Sequence, residues 1–155
     1  MIQEYCGVRV SRSLRVVLPV DSIREVLQLQ PQEISSIPGV PPFLLGSINQ
    51  RGNLLWVLHL ESFLGIKPTP LSNPLTAVII TAAFDDRTLR SVACVVHQVE
   101  EMLSLDTEQL QSIPANLPSR ARQIFQGLAQ YNAVTRCVLD PIALFQALNP
   151  VSVTI

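Results

Sequence analysis

Few side chains in this 155-residue chain could do covalent or metal chemistry: Cys6, Cys94, Cys137, His59 and His97. Cys94 and His97 are the only close cysteine–histidine pair, and on a strand their three-residue offset puts the two side chains on opposite faces. No CxxC or HxxxH spacing joins the set, so neither a thiol nucleophile nor a metal centre is expected. Three scattered cysteines make no disulfide framework, and reduced, buried thiols are the simplest reading. The six glycines form neither a phosphate loop nor a dinucleotide fingerprint, which leaves nucleotide chemistry without a foothold and no cofactor to expect. Both histidines read as partly buried strand residues with hydrogen-bonded rings. An enzyme reading therefore has no residues to name.

Charge narrows the partners. Eleven basic and twelve acidic residues leave a formal charge of −1, and no stretch gathers Lys or Arg into a patch that could neutralise phosphates. The aromatic residues are thinly spread, so no base-stacking platform is expected either. Hydrophobic residues reach 48% against 15% charged, ample for a core and contrary to disorder. The Met1–Tyr5 start lacks the parts of a signal peptide and no apolar run reaches the ~20 residues a bilayer needs, so a soluble, cytoplasmic protein without membrane insertion is expected.

The chain repeats itself. Residues 14–38 align without a gap on residues 90–114 at a shift of 76, with identities at Val16/Val92, Val20/Val96, Glu25/Glu101, Leu27/Leu103, Leu29/Leu105, Ser36/Ser112, Ile37/Ile113 and Pro38/Pro114. A second block follows at a shift of 81, setting Gly46 on Gly127, Val57-Leu58 on Val138-Leu139 and His59 on Asp140. The five extra residues imply a longer middle loop in the second copy. Each copy reads as strand, strand, a segment ending at Ile-Pro, a hairpin and a closing apolar strand. Two homologous lobes in one domain are expected, spanning 14–64 and 90–145, with residues 66–74 as a stiff proline-rich connector.

Local signals agree. Residues 16–20 and 92–96 are short β-branched runs, with Gly7 and Ser11-Arg12-Ser13 marking a bulge or turn before the first. Residues 75–81 are the most strand-like stretch and should turn at residues 85–87 into Leu89. Helix is confined to a turn or two near 60–64, another near 107–111 capped by Asp106, and a terminal helix over 141–148 with Asp140 as N-cap and Pro141 first.

Ile23-Arg24-Glu25-Val26, followed by Gly46-Ser47-Ile48-Asn49-Gln50-Arg51-Gly52 and the apolar stretch to His59-Leu60, resembles the CheW-like family pattern of hydrophobic-x-Glu-Val, Gly-x-x-Asn-x-Arg-Gly, strand and Asp-Leu. Residues 95–105 are similar to that family's second characteristic segment, so the resemblance covers nearly the whole chain. It implies an all-β fold, a duplicated pair of intertwined small five-stranded barrels with short helices. It also implies a non-catalytic adaptor that couples a chemoreceptor's cytoplasmic tip to the regulatory domain of a CheA-type histidine kinase in chemotaxis or motility control. A small-molecule sensor with a ligand between the lobes is the alternative. The chain departs from the pattern at His59 and His97, where the family commonly has Asp.

The two copies differ where a partner could act. At a shift of 81, Arg51-Gly52 falls on Asn132-Ala133, and a feature present in one copy only points to interaction more than to fold maintenance. Gly52 permits the positive φ that aims Arg51, whose planar fork suits a carboxylate such as Glu25. Arg51, Gly52, Asn49 and Glu25 are therefore the candidate partner-binding residues. Ile23, Val26, Pro42 and Phe43 are candidates for an apolar docking surface, although isolated apolar residues on short strands are more often core.

Overall fold

The computed structural model describes residues 1–148 apart from Pro68 and Asp86. The ten strands are β1 (Ile2–Arg9), β2 (Arg15–Pro19), β3 (Ile23–Leu29), β4 (Leu44–Gln50), β5 (Asn53–His59), β6 (Leu75–Ala83), β7 (Leu89–Val96), β8 (Gln98–Asp106), β9 (Phe125–Tyr131) and β10 (Val134–Leu139). Among the described residues there are also three α-helices: α1 (Leu60–Phe63), α2 (Ser119–Ile124) and α3 (Pro141–Leu148). The β4–β5 and β9–β10 hairpins start at positions related by the shift of 81 found in the sequence. The turn expected at residues 85–87 and the connector at 66–74 each include one residue outside those described.

Strands form two five-stranded sheets, β8-β1-β2-β10-β9 and β3-β6-β7-β5-β4. The sheets cut across the repeat: β2 and β3 belong to one copy yet lie in different sheets, as do β7 and β8. The chain crosses from the first sheet to the second through a 3-10 turn at Val20–Ser22, where Ser22 Oγ donates to the Pro19 carbonyl at 2.7 Å. It crosses back at His97, between β7 and β8. Parallel pairs, β5 with β7 and β10 with β2, join strands distant in sequence inside each sheet.

Each sheet curls toward closure by the same device. The segment after β3 returns so that Ser35 bridges Ser47 on β4, and the segment after β8 returns so that Gln111 bridges Leu128 on β9. Gly46 and Gly127 sit beside those bridges. A Cβ on Gly46 would stand 2.2 Å from the Ser35 carbonyl oxygen, and one on Gly127 2.9 Å from Leu110 Cβ. Close passage of a second backbone explains why the repeat keeps glycine there.

Three cores follow from side-chain alternation. On β6, Val78, Ile80 and Ala82 face the large core between the sheets, while Leu75, Ala77 and Ile79 fill the second barrel. On β7, Val92, Cys94 and Val96 face the first of these and Ala93 and Val95 the second. Tyr5, Val17, Leu103, Leu105, Ala129 and Val138 fill the other barrel. Strands buried on both faces must be apolar throughout, which is why these runs read as continuous and not alternating.

The terminal helix falls where the sequence put it, with Asp140 Oδ1 accepting from the amides of Ile142 and Ala143. Asp106 likewise caps a 3-10 turn at Thr107–Gln109. The longer middle loop of the second copy holds an unforeseen helix, α2, whose N-cap is Pro118 and makes no side-chain cap bond. Tertiary contacts hold it instead: Arg120 donates to the Phe63 carbonyl at 3.3 Å and stacks on the Phe43 and Phe63 rings.

Candidate functional site

The β4–β5 hairpin closes on two residues, with Gln50 opposite Asn53 and positive φ at both Arg51 (54°) and Gly52 (85°). Two successive left-handed residues match the right-handed twist of the flanking strands. Asn49 Oδ1 accepts from the Gly52 amide at 2.9 Å, so Asn49 closes the turn. The β9–β10 hairpin adopts the same form with Asn132 (51°) and Ala133 (62°). Turn geometry thus recurs in both copies while the arginine does not.

Arg51 reaches Glu25 on β3 with both terminal nitrogens, Nη1 to Oε1 at 3.4 Å and Nη2 to Oε2 at 3.5 Å. Gln50 Nε2 adds a contact to Glu25 Oε1 at 3.4 Å. This fork-to-fork arrangement fixes the guanidinium plane. With the Arg51 side chain 72% exposed, it contributes only about 0–1 kcal/mol to stability. Arg24, Asn53, Leu55 and Ile79 line the recess around it.

Glu101, the repeat partner of Glu25, meets a different arginine. Arg136 on β10 donates to Glu101 Oε1 at 2.7 Å from a buried position and lies over the Tyr131 ring. The position equivalent to Arg136 in the first copy is Leu55, buried in the barrel. One glutamate therefore holds an exposed hairpin-tip arginine and the other a buried strand arginine. The described partners of both are side chains.

The apolar candidates divide. Val26 is 45% exposed and Pro42 is exposed, whereas Ile23 is half-buried against the inter-sheet core. Phe43 is 5% exposed and packs edge-on against Phe63 at 4.9 Å between centroids, so it belongs to the inter-sheet core and offers no surface. Sequence reasoning missed Leu54, which is 54% exposed next to the hairpin tip. Its place two residues after Gly52 was the available signal.

His59 and His97, far apart in sequence, converge on one carboxylate. Glu61 on α1 is buried, with His59 Nε2 3.8 Å from Oε1 and His97 Nε2 3.6 Å from Oε2. The Thr69 amide and hydroxyl also donate to Oε1, at 2.8 and 3.2 Å, and the Thr69 hydroxyl contacts His97 Nε2. Burial holds the His59 imidazole below its usual pKa, with Glu61 pulling it up and His97 pushing it down. His59 is buried as expected, but His97 is exposed at the crossing between sheets. Among the described residues no group of three His, Cys, Asp or Glu side chains could hold a metal ion.

All three cysteines are free and buried, and burial pushes the Cys94 thiol up to about 12 and the Cys137 thiol up to about 11. Such thiols are poor nucleophiles at neutral pH. Arg9, Arg12, Thr69, Pro70, His97 and Gln98 line an open concavity in which two of the polar side chains are engaged within the protein. Arg9 pairs with Glu100 at 3.4 Å, and Thr69 serves Glu61. No helix among the described residues is long and apolar enough to cross a membrane.

Two intertwined five-stranded sheets, each closed by a returning segment and one carrying an exposed arginine hairpin, define a doubled-barrel class. The CheW-like domain model matches residues 4–149, and the chain belongs to that family. A protein of Rhizobium etli described as a probable chemotaxis protein CheW is 29% identical over 124 residues, covering 80% of this chain and 76% of that one. The scaffolding protein TtCheW of Thermoanaerobacter tengcongensis superposes with a TM-score of 0.75 at 19% identity, covering 90% of each chain. The fold expected from the sequence, mostly β in two intertwined lobes with a C-terminal helix, is the fold observed.

Proposed function

We propose that this protein is a non-catalytic scaffold of chemotaxis or motility signalling, coupling a chemoreceptor's cytoplasmic tip to the regulatory domain of a CheA-type histidine kinase. Family membership supports the scaffold reading, as does the relative described as a chemotaxis protein. The observation that carries the choice of site is the exposed Arg51–Glu25 fork on one hairpin, absent from the otherwise equivalent β9–β10 hairpin. An exposed pair worth little to stability, presented beside exposed Val26 and Leu54, has the makeup of an interface: an oriented guanidinium among apolar contacts, with exposed Pro42 at the opposite end of β4.

The test is binding of the purified protein to the regulatory domain of its genomically neighbouring CheA-type kinase and, separately, to a receptor cytoplasmic fragment. Arg51→Ala is compared with Asn132→Ala, its counterpart on the other hairpin. Selective loss of about tenfold or more in one assay for Arg51→Ala, with Asn132→Ala unchanged, assigns the hairpin to that partner. Binding to neither partner by the folded wild type, together with a thermal shift in a metabolite panel, replaces the scaffold reading with a ligand sensor.

A further inference from the structure

Glu61 is 1% exposed, and among the described residues only its Oε1 has hydrogen-bond donors, the amide and hydroxyl of Thr69, while Oε2 has none. An ionised carboxylate so deeply buried is costly unless a positive group neutralises it. Two imidazoles face it, His59 from the end of β5 and His97 from the crossing between β7 and β8, the latter closest to the unpartnered Oε2 at 3.6 Å. Among the described residues, Arg9 and Arg12 of the β1–β2 hairpin also line the concavity at His97, and Arg9 is tied to Glu100 of β8. Thr69 belongs to the connector between the chain's two copies, so this carboxylate ties three segments together: α1, the connector and the sheet-to-sheet crossing.

We infer that Glu61, His97 and Thr69 form a proton-operated latch, in which protonation of His97 completes an ion pair with Glu61 Oε2 and clamps the connector onto the β7–β8 crossing. The half-exposed edge of His97 can exchange protons with solvent, whereas His59 is enclosed beside it. With His97 neutral, Oε2 stays uncompensated and the Thr69 contacts hang on a strained charge. With His97 protonated, the carboxylate is matched and the Thr69 amide bond is held. An Asp at position 97 would repel Glu61, so the latch requires the imidazole.

The Thr69 amide reports the latch directly because it donates to Glu61. Its hydrogen-exchange protection, corrected for the intrinsic pH dependence of exchange, is followed from about pH 8 to about pH 5.5 alongside the His97 ring resonances, the range in which imidazoles ordinarily titrate. Wild-type protection is expected to rise several-fold as His97 takes up its proton. His97→Gln and Glu61→Gln are expected to give flat profiles, with His59→Gln retaining the rise. His97 is at the surface, so His97→Gln keeps the fold even if Glu61→Gln does not. A wild-type profile that is flat, or one that survives unchanged in His97→Gln, overturns the latch.

Discussion

At the scale of single residues, repeated glutamates with different arginines separate interaction from support. Arg51→Ala removes an exposed pair and should lower stability by less than about 1 kcal/mol in a urea titration. Arg136→Ala empties a buried site under Tyr131 and removes the packing of the arginine stem, leaving Glu101 to water, and should cost about 1–3 kcal/mol. Equal costs for the two would contradict the division drawn between them. His59 makes a pH-dependent contribution of definite sign. Its pKa is lowered in the folded state, so as pH falls below the ordinary imidazole value of about 6.5 the unfolded chain takes up a proton first and folded stability declines. The contribution is intact above that value and falls away down to the folded pKa. His59→Gln should flatten this acid-side decline in Tm measured from neutral pH downward, and an unchanged slope would place its cause elsewhere.

Elements show why equivalent positions are not interchangeable. Gly46 and Gly127 both admit a returning backbone, but only Gly46 also holds a positive φ of 142°. A methyl group at Gly46 meets the Ser35 carbonyl at 2.2 Å, whereas at Gly127 the nearest atom is the side-chain Cβ of Leu110 at 2.9 Å. Gly46→Ala should therefore cost more than about 3 kcal/mol or prevent folding, and Gly127→Ala clearly less, as read from denaturation midpoints. Helix caps follow the same logic. Asp140 caps the eight-residue α3, and Asp140→Ala should cost about 1 kcal/mol. His59, at the matching position, makes no cap bond, and α1 runs only four residues before it stops. There the side chain turns to Glu61 instead.

The whole molecule behaves as one unit because the largest core takes side chains from both sheets, and the first sheet draws strands from both ends of the chain. Unfolding should be a single transition, with Trp56 fluorescence and far-ultraviolet circular dichroism coinciding in denaturant; separated curves would show the barrels to be independent. The buried thiols offer a further check. Cys94 and Cys137 should resist a thiol reagent at neutral pH in the native state and react together once the protein unfolds.

The amino-acid sequence alone determined the duplication, the hairpins, the terminal helix and the odd arginine of the first copy, because each is written in local pattern: strand-forming runs, turn pairs, a capping aspartate, a repeat shift. It also carried the family motif around Glu25 and Arg51. The sharing of strands from different copies between the sheets is set by packing, since pairings such as β2 with β10 join residues with no local signal of each other. The same holds for the placing of Phe43 in the core, for α2, which is held by Arg120 contacts and not by a cap, and for the meeting of His59, Glu61 and His97. Local pattern records which face of an element is apolar; which distant side chains meet across that face is set by how the sheets pack.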